Sequence, residues 1–209
     1  MHAITPFQNT DEALVALDNG GRFYNLLTKA NDGIISTPEL GKVAGLFSDK
    51  QKMMIYLAMS IADMSDVARE QVIYSLSPEL KKTFEQYCPT FLSPAQAAAS
   101  SQPSASVVIT GTLRYIQSNA DFKGFIMVPI STGKVMTFAM IPIIDRYDVY
   151  EIHDTVTADI FYVAHARSKE KLPETKVSIG GVVKELKKAK DDKAGYTQFL
   201  EAFYYIEKD

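Results

Sequence analysis

The stretch SPAQAAASSQPSAS, residues 93–106, divides the chain into two parts of different character. It consists of small and polar residues with two prolines, so it offers nothing to pack a core. Before it, apolar residues recur at helical spacing, and after it short β-branched and aromatic runs alternate with turn residues. The sequence therefore predicts a helical domain at 1–92, a linker at 93–105 and a β domain at 106–209.

The first part carries start signals for several helices. Ser77 opens ELKKTFEQY, Ser65 or Asp66 precedes DVAREQVIYSL, and Ser48 precedes KQKMMIYLAMSIADM. Each helix is predicted to bury one stripe of apolar residues, because such residues recur every three to four positions. The stripe residues are Met54, Leu57, Ala58, Ile61, Val67, Val72 and Leu76. This pattern predicts a compact helical bundle.

The second part predicts seven short strands, rich in β-branched and aromatic residues and separated by turn residues. They are SVVITGTLRYIQ, FKGFIMVPI, KVMTFAMIPI, DVYEIHD, TVTADIFYVAHA, KVSIGGVVKEL and YTQFLEAFYYIE. A closed barrel or a sandwich would protect the edges of so many strands. We therefore expect an α+β protein in which an N-terminal helical bundle precedes a C-terminal antiparallel β-barrel.

Residues 106–207 resemble an OB-fold, with ITGTL (109–113) and IGGVV (179–183) as glycine-bearing bent strands. The sequence departs from that family at 147–166, which predicts two more strands where a short helix is common. The resemblance implies single-stranded nucleic-acid binding, on the second and third strands and in the loops after the first and fourth. This function is the main alternative. The positions that the resemblance implies are Tyr115, Phe122, Lys123, Phe125, Phe138, Lys187, Lys188, Lys190 and Lys193.

Several predicted strands are apolar on both faces. Period-two alternation places Phe125 and Met127 on one face of their strand, and the opposite face is also apolar. The last strand repeats this pattern, with Phe199, Phe203 and Tyr205 opposite Leu200, Tyr204 and Ile206. The second face must then be covered by the helical domain, another copy of the chain or a partner protein. The predicted partner surface is Phe125, Met127, Met136, Phe138 and Met140.

These faces make a non-catalytic binding or adaptor protein the leading functional hypothesis. It would act through protein–protein contacts or self-association, and methionine suits an adaptable contact. No catalytic residue and no cofactor is predicted, because the sequence has neither a Walker-type glycine loop nor a dinucleotide-binding pattern.

The segment KANDGIISTPELGKV, residues 29–43, resembles the second half of an EF-hand loop and its exit helix, within residues 23–47. It also resembles the turn of helical tellurite-resistance-type (TerB-like) domains. The EF-hand resemblance implies that Gly33 makes the sharp turn, that Ile35 pairs with a partner loop and that Glu39 supplies two oxygens to calcium.

Two calcium ligands are missing from this segment. The first and third loop positions fall on Thr28 and Ala30, where a calcium loop carries aspartate or asparagine. We therefore expect a turn without a metal ion, in which Ser36 or Thr37 caps a helix beginning at Pro38.

A metal-assisted enzyme is a third functional hypothesis. Glu151 and His153 lie two apart on one strand face, and His165 on the next strand could complete a site with Asp154 or Asp159. Isolated strand histidines are more often surface residues or core residues with satisfied hydrogen bonds, so no metal site is predicted. The single cysteine, Cys88, is interpreted as a small buried hydrophobic residue.

The composition excludes several classes of protein. The chain has 209 residues, a formal charge of −3 and a pI near 5.7, which give no general attraction to nucleic acid or anionic membranes. One cysteine cannot form an internal disulfide, and MHAITPFQNTDEAL lacks the layout of a secretory signal. The longest apolar run, 53–64, is too short to span a membrane. We therefore expect a cytoplasmic protein without a membrane segment.

Overall fold

The chain is seen in a computed structural model that divides into two compact units, 2–90 and 91–209. The structure describes residues 2–21, 29–46, 49–116, 124–131, 136–142, 147–167, 171–188 and 196–208. For 124–131, 136–142, Lys188 and Tyr196, the backbone alone is described. Within these ranges, every helix is too short or too polar to cross a lipid bilayer.

The first unit is helical. A two-residue strand, β1 (His2–Ala3), precedes five helices in the described part of this unit. The helices are α1 (Thr10–Leu17), α2 (Thr37–Ala44), α3 (Lys50–Ser60), α4 (Asp66–Tyr74) and α5 (Pro78–Tyr87). The predicted helical character of this part is confirmed, while α1 was not predicted.

Side-chain caps begin these helices where local sequence indicates. The Ser65 hydroxyl accepts the N–H of Ala68 at α4, and the Ser77 hydroxyl accepts the N–H of Leu80 at α5. Helix α3 is capped by Asp49, whose carboxylate accepts the N–H of Lys52. The predicted cap, Ser48, lies outside the described residues.

The core of the first unit gathers apolar residues from α1 to α5 and the loops between them, including Leu17, Ile35, Leu40 and Met54. The predicted stripe lies inside, with one exception. Val67 is 67% exposed, so its assignment to the buried stripe was wrong. It stands in the first turn of α4, one residue after the helix begins, and that turn faces solvent.

The second unit contains all seven predicted strands. They are β3 (Ser106–Ile116), β4 (Gly124–Ser131), β5 (Met136–Pro142), β6 (Tyr147–His153), β7 (Ile160–Ala166), β8 (Lys176–Lys188) and β9 (Tyr196–Glu207). A short strand, β2 (Thr90–Leu92), pairs with β3, and a helix, α6 (Pro94–Ser100), follows it.

Five of these strands close a ring of hydrogen bonds in the order β3, β6, β7, β9, β8 and back to β3. The ring is a mixed sheet because β7 and β9 run parallel, with Val163 opposite Leu200. The predicted antiparallel pairing is therefore present in the other four pairs of the ring and fails at this one. Local sequence indicates where each strand lies. Whether two strands that are not consecutive pair parallel or antiparallel depends on the path of the chain between them.

The interior of the ring holds one hydrophobic cluster, which includes Ile109, Tyr150, Val163 and Leu200. Helix α6 adds Ala97, which is fully buried in that cluster. The segment predicted as a linker therefore contains a packed helix, and the expectation that it contributes nothing to a core was wrong.

Two glycines let the ring strands approach one another closely. A Cβ at Gly111 would meet the carbonyl oxygen of His153, and a Cβ at Gly181 would meet that of Glu201. The register between β8 and β9 shifts at Gly180/Gly181 and gives β9 one extra residue. Because of this bulge, Tyr205 packs against the interior cluster that contains Leu200, which corrects the predicted face.

Candidate functional site

Strands β4 and β5 form a hairpin whose register unites the predicted partner surface. Met127 lies opposite Met140, and Pro129 lies opposite Phe138. Residues opposite each other, and residues two apart along a strand, share a face of a sheet. One face of the hairpin therefore holds Phe125, Met127, Met136, Phe138 and Met140. Their role in binding stays a prediction.

The hairpin joins the ring through a short ladder. Gly124 and Phe125 pair with Lys188 and Lys187 of β8. Among the described strands, β5 pairs with β4 alone and forms the end of the sheet. An end strand carries a row of backbone N–H and C=O groups that can pair with another chain.

The outer face of the ring, opposite the interior cluster, is also buried in one stripe. Ala164, Leu186 and Phe199 are fully buried and form an outer cluster with Val149. Phe199 and its neighbour Leu200 point to opposite faces of β9, yet neither is exposed. The prediction that the last strand buries both faces is confirmed at this point. The cover belongs to the same chain, so this stripe requires no partner.

Tyr115 does not offer a free ring for a nucleic-acid base. Its ring stands edge-on to Tyr150 at 5.2 Å between centroids, and the Lys171 ammonium lies 3.7 Å from its centre. The stacking role that the OB-fold resemblance implied for Tyr115 stays a prediction, and it would require the Lys171 ammonium to leave the ring. Tyr115 lies two residues after Leu113 on β3, so both side chains are on the face of the strand that packs against the interior cluster.

Only some of the other residues predicted to bind nucleic acid lie within the described part of the chain. Lys187 is exposed on β8, and Lys188 follows it at the end of that strand. Both lie beside the first residues of β4. Phe122, Lys123, Lys190 and Lys193 lie outside the described residues.

Glu151 and His153 meet as their spacing predicts, with 3.2 Å between Glu151 Oε2 and His153 Nε2. His165 does not join them. His165 lies opposite Asp148 of β6, and Asp148 and His153 point to opposite faces of that strand. The two histidines are therefore on different faces of the sheet, and His165 is 2% exposed. A shared metal site for the two histidines is therefore wrong. Burial lowers the pKa of His165 from its ordinary value of 6.5.

The two nearby aspartates hold the turn between β6 and β7. Asp154 accepts the N–H groups of Val156 and Thr157, and these bonds help to lower its pKa, the Val156 bond most strongly. The Asp159 carboxylate accepts the Thr157 hydroxyl at 2.7 Å. In the part of the chain that the structure describes, no three His, Cys, Asp or Glu residues are grouped to hold a metal ion.

The turn before α2 has the predicted cap. Glu39 Oε2 accepts both the N–H and the hydroxyl of Ser36, which forms a capping box. Gly33 has a φ of 81°, and its N–H donates to Asp18 Oδ2 at 2.6 Å. Ile35 pairs with Leu76 of a second loop. The Asp18 and Glu39 carboxylates are buried, and each keeps one oxygen that has no hydrogen-bond partner among the described residues.

Cys88 is exposed at the end of α5, so its interpretation as a buried hydrophobic residue was wrong. Partial burial of the thiol still raises its pKa, which keeps the reactive thiolate scarce.

Sequence reasoning missed one groove on the second unit. It lies beside the ends of β3 and β6 and encloses about 380 Å³. Its lining residues are Thr112, Leu113, Arg114, His153 and Glu174. Only the position of His153 had been singled out, because the other residues are distant in sequence and carry no motif.

No protein-family model matches this sequence, and comparison with curated proteins finds no significant match.

Proposed function

We propose that this protein is a non-catalytic binding or adaptor protein that acts through protein–protein contacts or self-association. The β4–β5 hairpin is its contact surface. The observation that carries this proposal is the hairpin register, which unites five apolar residues on one face while β5 ends the described sheet. A partner strand could add to β5 through main-chain hydrogen bonds, and the apolar face would supply contact area.

The expected energies support a contact that uses both features. Burying one Phe or Met side chain contributes about 1.5–3 kcal/mol. Association itself costs about 4–15 kcal/mol in lost freedom, so one or two apolar side chains are insufficient. The five residues at 125, 127, 136, 138 and 140 would together contribute about 7.5–15 kcal/mol, which is comparable to that cost, and edge pairing would add to it.

The test compares two lysine substitutions on one strand. Phe138→Lys alters the proposed face, whereas Thr137→Lys alters the opposite face of the same strand and serves as the matched control. Molecular mass is measured by light scattering over a range of concentrations. We expect the unaltered chain to associate, Phe138→Lys to be monomeric and Thr137→Lys to retain association.

A second measurement covers a different partner. A photo-crosslinking residue is placed at position 138 or at position 137 in the source cells, and adducts are compared. A defined adduct that forms from 138 and not from 137 would support the adaptor role. A monomeric protein that forms no adduct from position 138 would refute the proposal.

We also assign the second unit to OB-fold-like barrels. The support is the ring order: β3, β6, β7, β8 and β9 would be the five strands, and the β4–β5 hairpin would be an insertion after the first. On this assignment, the strands at 147–166 are the second and third strands of the barrel. These strands then no longer stand in the place of the short helix, although the described residues between β7 and β8 are not helical.

One observation favours single-stranded nucleic-acid binding as a second candidate. Gly124 at the start of the β4–β5 insertion pairs with Lys188 at the end of β8. The insertion follows β3, the first barrel strand, and β8 is the fourth. OB-folds bind ligands in the loops that follow these two strands. A labelled oligonucleotide tests this candidate at two salt concentrations. Phosphate contacts would weaken steeply as salt rises, and no binding at low salt would eliminate it.

A cytoplasmic location is part of the same proposal. It rests on the single cysteine, because secreted domains often depend on disulfides. Metal-assisted catalysis through His153 has no supporting observation, since Asp154 and Asp159 are engaged in turn contacts.

A further inference from the structure

The groove on the second unit has the size of a small-ligand site. Its volume of about 380 Å³ falls in the range of roughly 300–1,000 Å³ that such sites usually occupy. It contains an arginine, a carboxylate, a hydroxyl and an imidazole, on three separate segments of chain. Its five described lining residues lie on β3, on β6 and before β8, outside the β4–β5 hairpin of the proposed contact surface.

The Arg114 guanidinium has no acidic partner among the residues that the structure describes. Its direct neighbour across the strands is Glu151, which is the natural partner for its charge. The Glu151 carboxylate instead contacts His153, at 3.2 Å. The Arg114 side chain is exposed and makes no hydrogen bond or ion pair with the described residues. Its guanidinium can therefore hold a carboxylate through two parallel hydrogen bonds.

Glu174 is held at the other side of the groove. Its Oε2 accepts the N–H of Tyr115 at 3.2 Å. The adjacent Thr175 carbonyl accepts the N–H of Leu113 at 3.0 Å, which keeps this segment against β3. The second carboxylate oxygen of Glu174 makes no hydrogen bond to the described residues and can accept one from a ligand ammonium.

We infer that this groove binds a free α-amino acid. The ligand carboxylate binds Arg114, the ligand ammonium binds Glu174, and the Thr112 hydroxyl is a further donor or acceptor. Neither charged residue of the groove neutralises the other through an ion pair. A ligand with both charges satisfies both residues, whereas a simple anion leaves Glu174 unpaired.

The experiment titrates the full chain with L-alanine and follows backbone amide signals by NMR. N-acetyl-L-alanine lacks the ammonium, L-alaninamide lacks the carboxylate, and inorganic phosphate tests for a general anion site. We expect L-alanine to shift the signals of residues around the groove at lower concentration than the other three. Because both charges are exposed, the affinity should be modest, in the millimolar range.

Three variants locate the binding. Arg114→Gln and Glu174→Gln should each weaken alanine binding about tenfold or more, since each removes a charge-assisted hydrogen bond. Glu174→Gln should leave N-acetyl-L-alanine binding unchanged. Glu185→Gln, an exposed substitution on β8, is the matched control and should bind as the unaltered chain does.

Unshifted signals outside the substituted positions would establish that the variants fold. The proposal is overturned if L-alanine leaves the groove signals unchanged, if phosphate binds as tightly as alanine, or if Glu185→Gln weakens binding as much as Glu174→Gln.

Discussion

Replacing Phe199 with alanine tests whether the outer face of the ring is covered by the chain itself. Phe199 is fully buried in the outer cluster. Truncating a buried phenylalanine to alanine costs about 3–5 kcal/mol, because apolar contacts are lost and a cavity remains. An exposed side chain would change stability by only about 0.5 kcal/mol. We therefore expect Phe199→Ala to lower the free energy of unfolding by about 3 kcal/mol or more.

Urea unfolding of the full chain measures this loss, and two controls bracket it. Leu200→Ala removes the adjacent side chain from the interior cluster and should cost about 2–5 kcal/mol. Val156 is 90% exposed, so Val156→Ala should change stability by no more than about 0.5 kcal/mol. If Phe199→Ala resembled Val156→Ala while Leu200→Ala destabilised the protein, the outer face would be open and our reasoning refuted.

Three other predictions address single features. Since burial lowers the pKa of His165, the unfolded state binds its proton more readily, so stability should fall as pH drops below about 6.5. Urea midpoints above and below that pH should differ less in His165→Gln, and an unchanged difference would contradict this account. Gly181→Ala should cost about 1–3 kcal/mol in thermal unfolding, because its Cβ meets the Glu201 carbonyl; a neutral result would count against the close approach. Calcium should leave the unfolding midpoint unchanged, since Ser36 occupies Glu39 Oε2; micromolar binding in calorimetry would disprove this.

Local features of the fold were predictable from the sequence. Strand positions follow from runs of β-branched and aromatic residues, and all seven predicted strands are present. The caps at Ser36, Ser65 and Ser77 were predictable because a cap acts on backbone groups only two or three residues away. Helix α6 was missed because its residues are small, and Ala97 reaches the core through close approach to the ring.

The candidate sites depend on contacts between residues far apart in sequence. The alternation of side chains along each strand indicated an apolar face on β4 and another on β5. Only the pairing register of the two strands shows that these faces lie side by side on one hairpin. The groove around Arg114 joins residues up to sixty-two positions apart, from Thr112 to Glu174, and no local pattern connects them. His165 was wrongly expected to approach His153. The pairing of β6 with β7 instead puts the two histidines on opposite faces of the sheet.

The sequence by itself determined where helices and strands form, where several helices begin and which strands are apolar on both faces. Those properties depend on neighbouring residues and on a period of 3.6 or 2. The tertiary structure alone decided the closed ring, the parallel β7–β9 pair and the shifted face of Tyr205. Each of these depends on which strand lies beside which and in what register, and that choice is set by packing of the whole core.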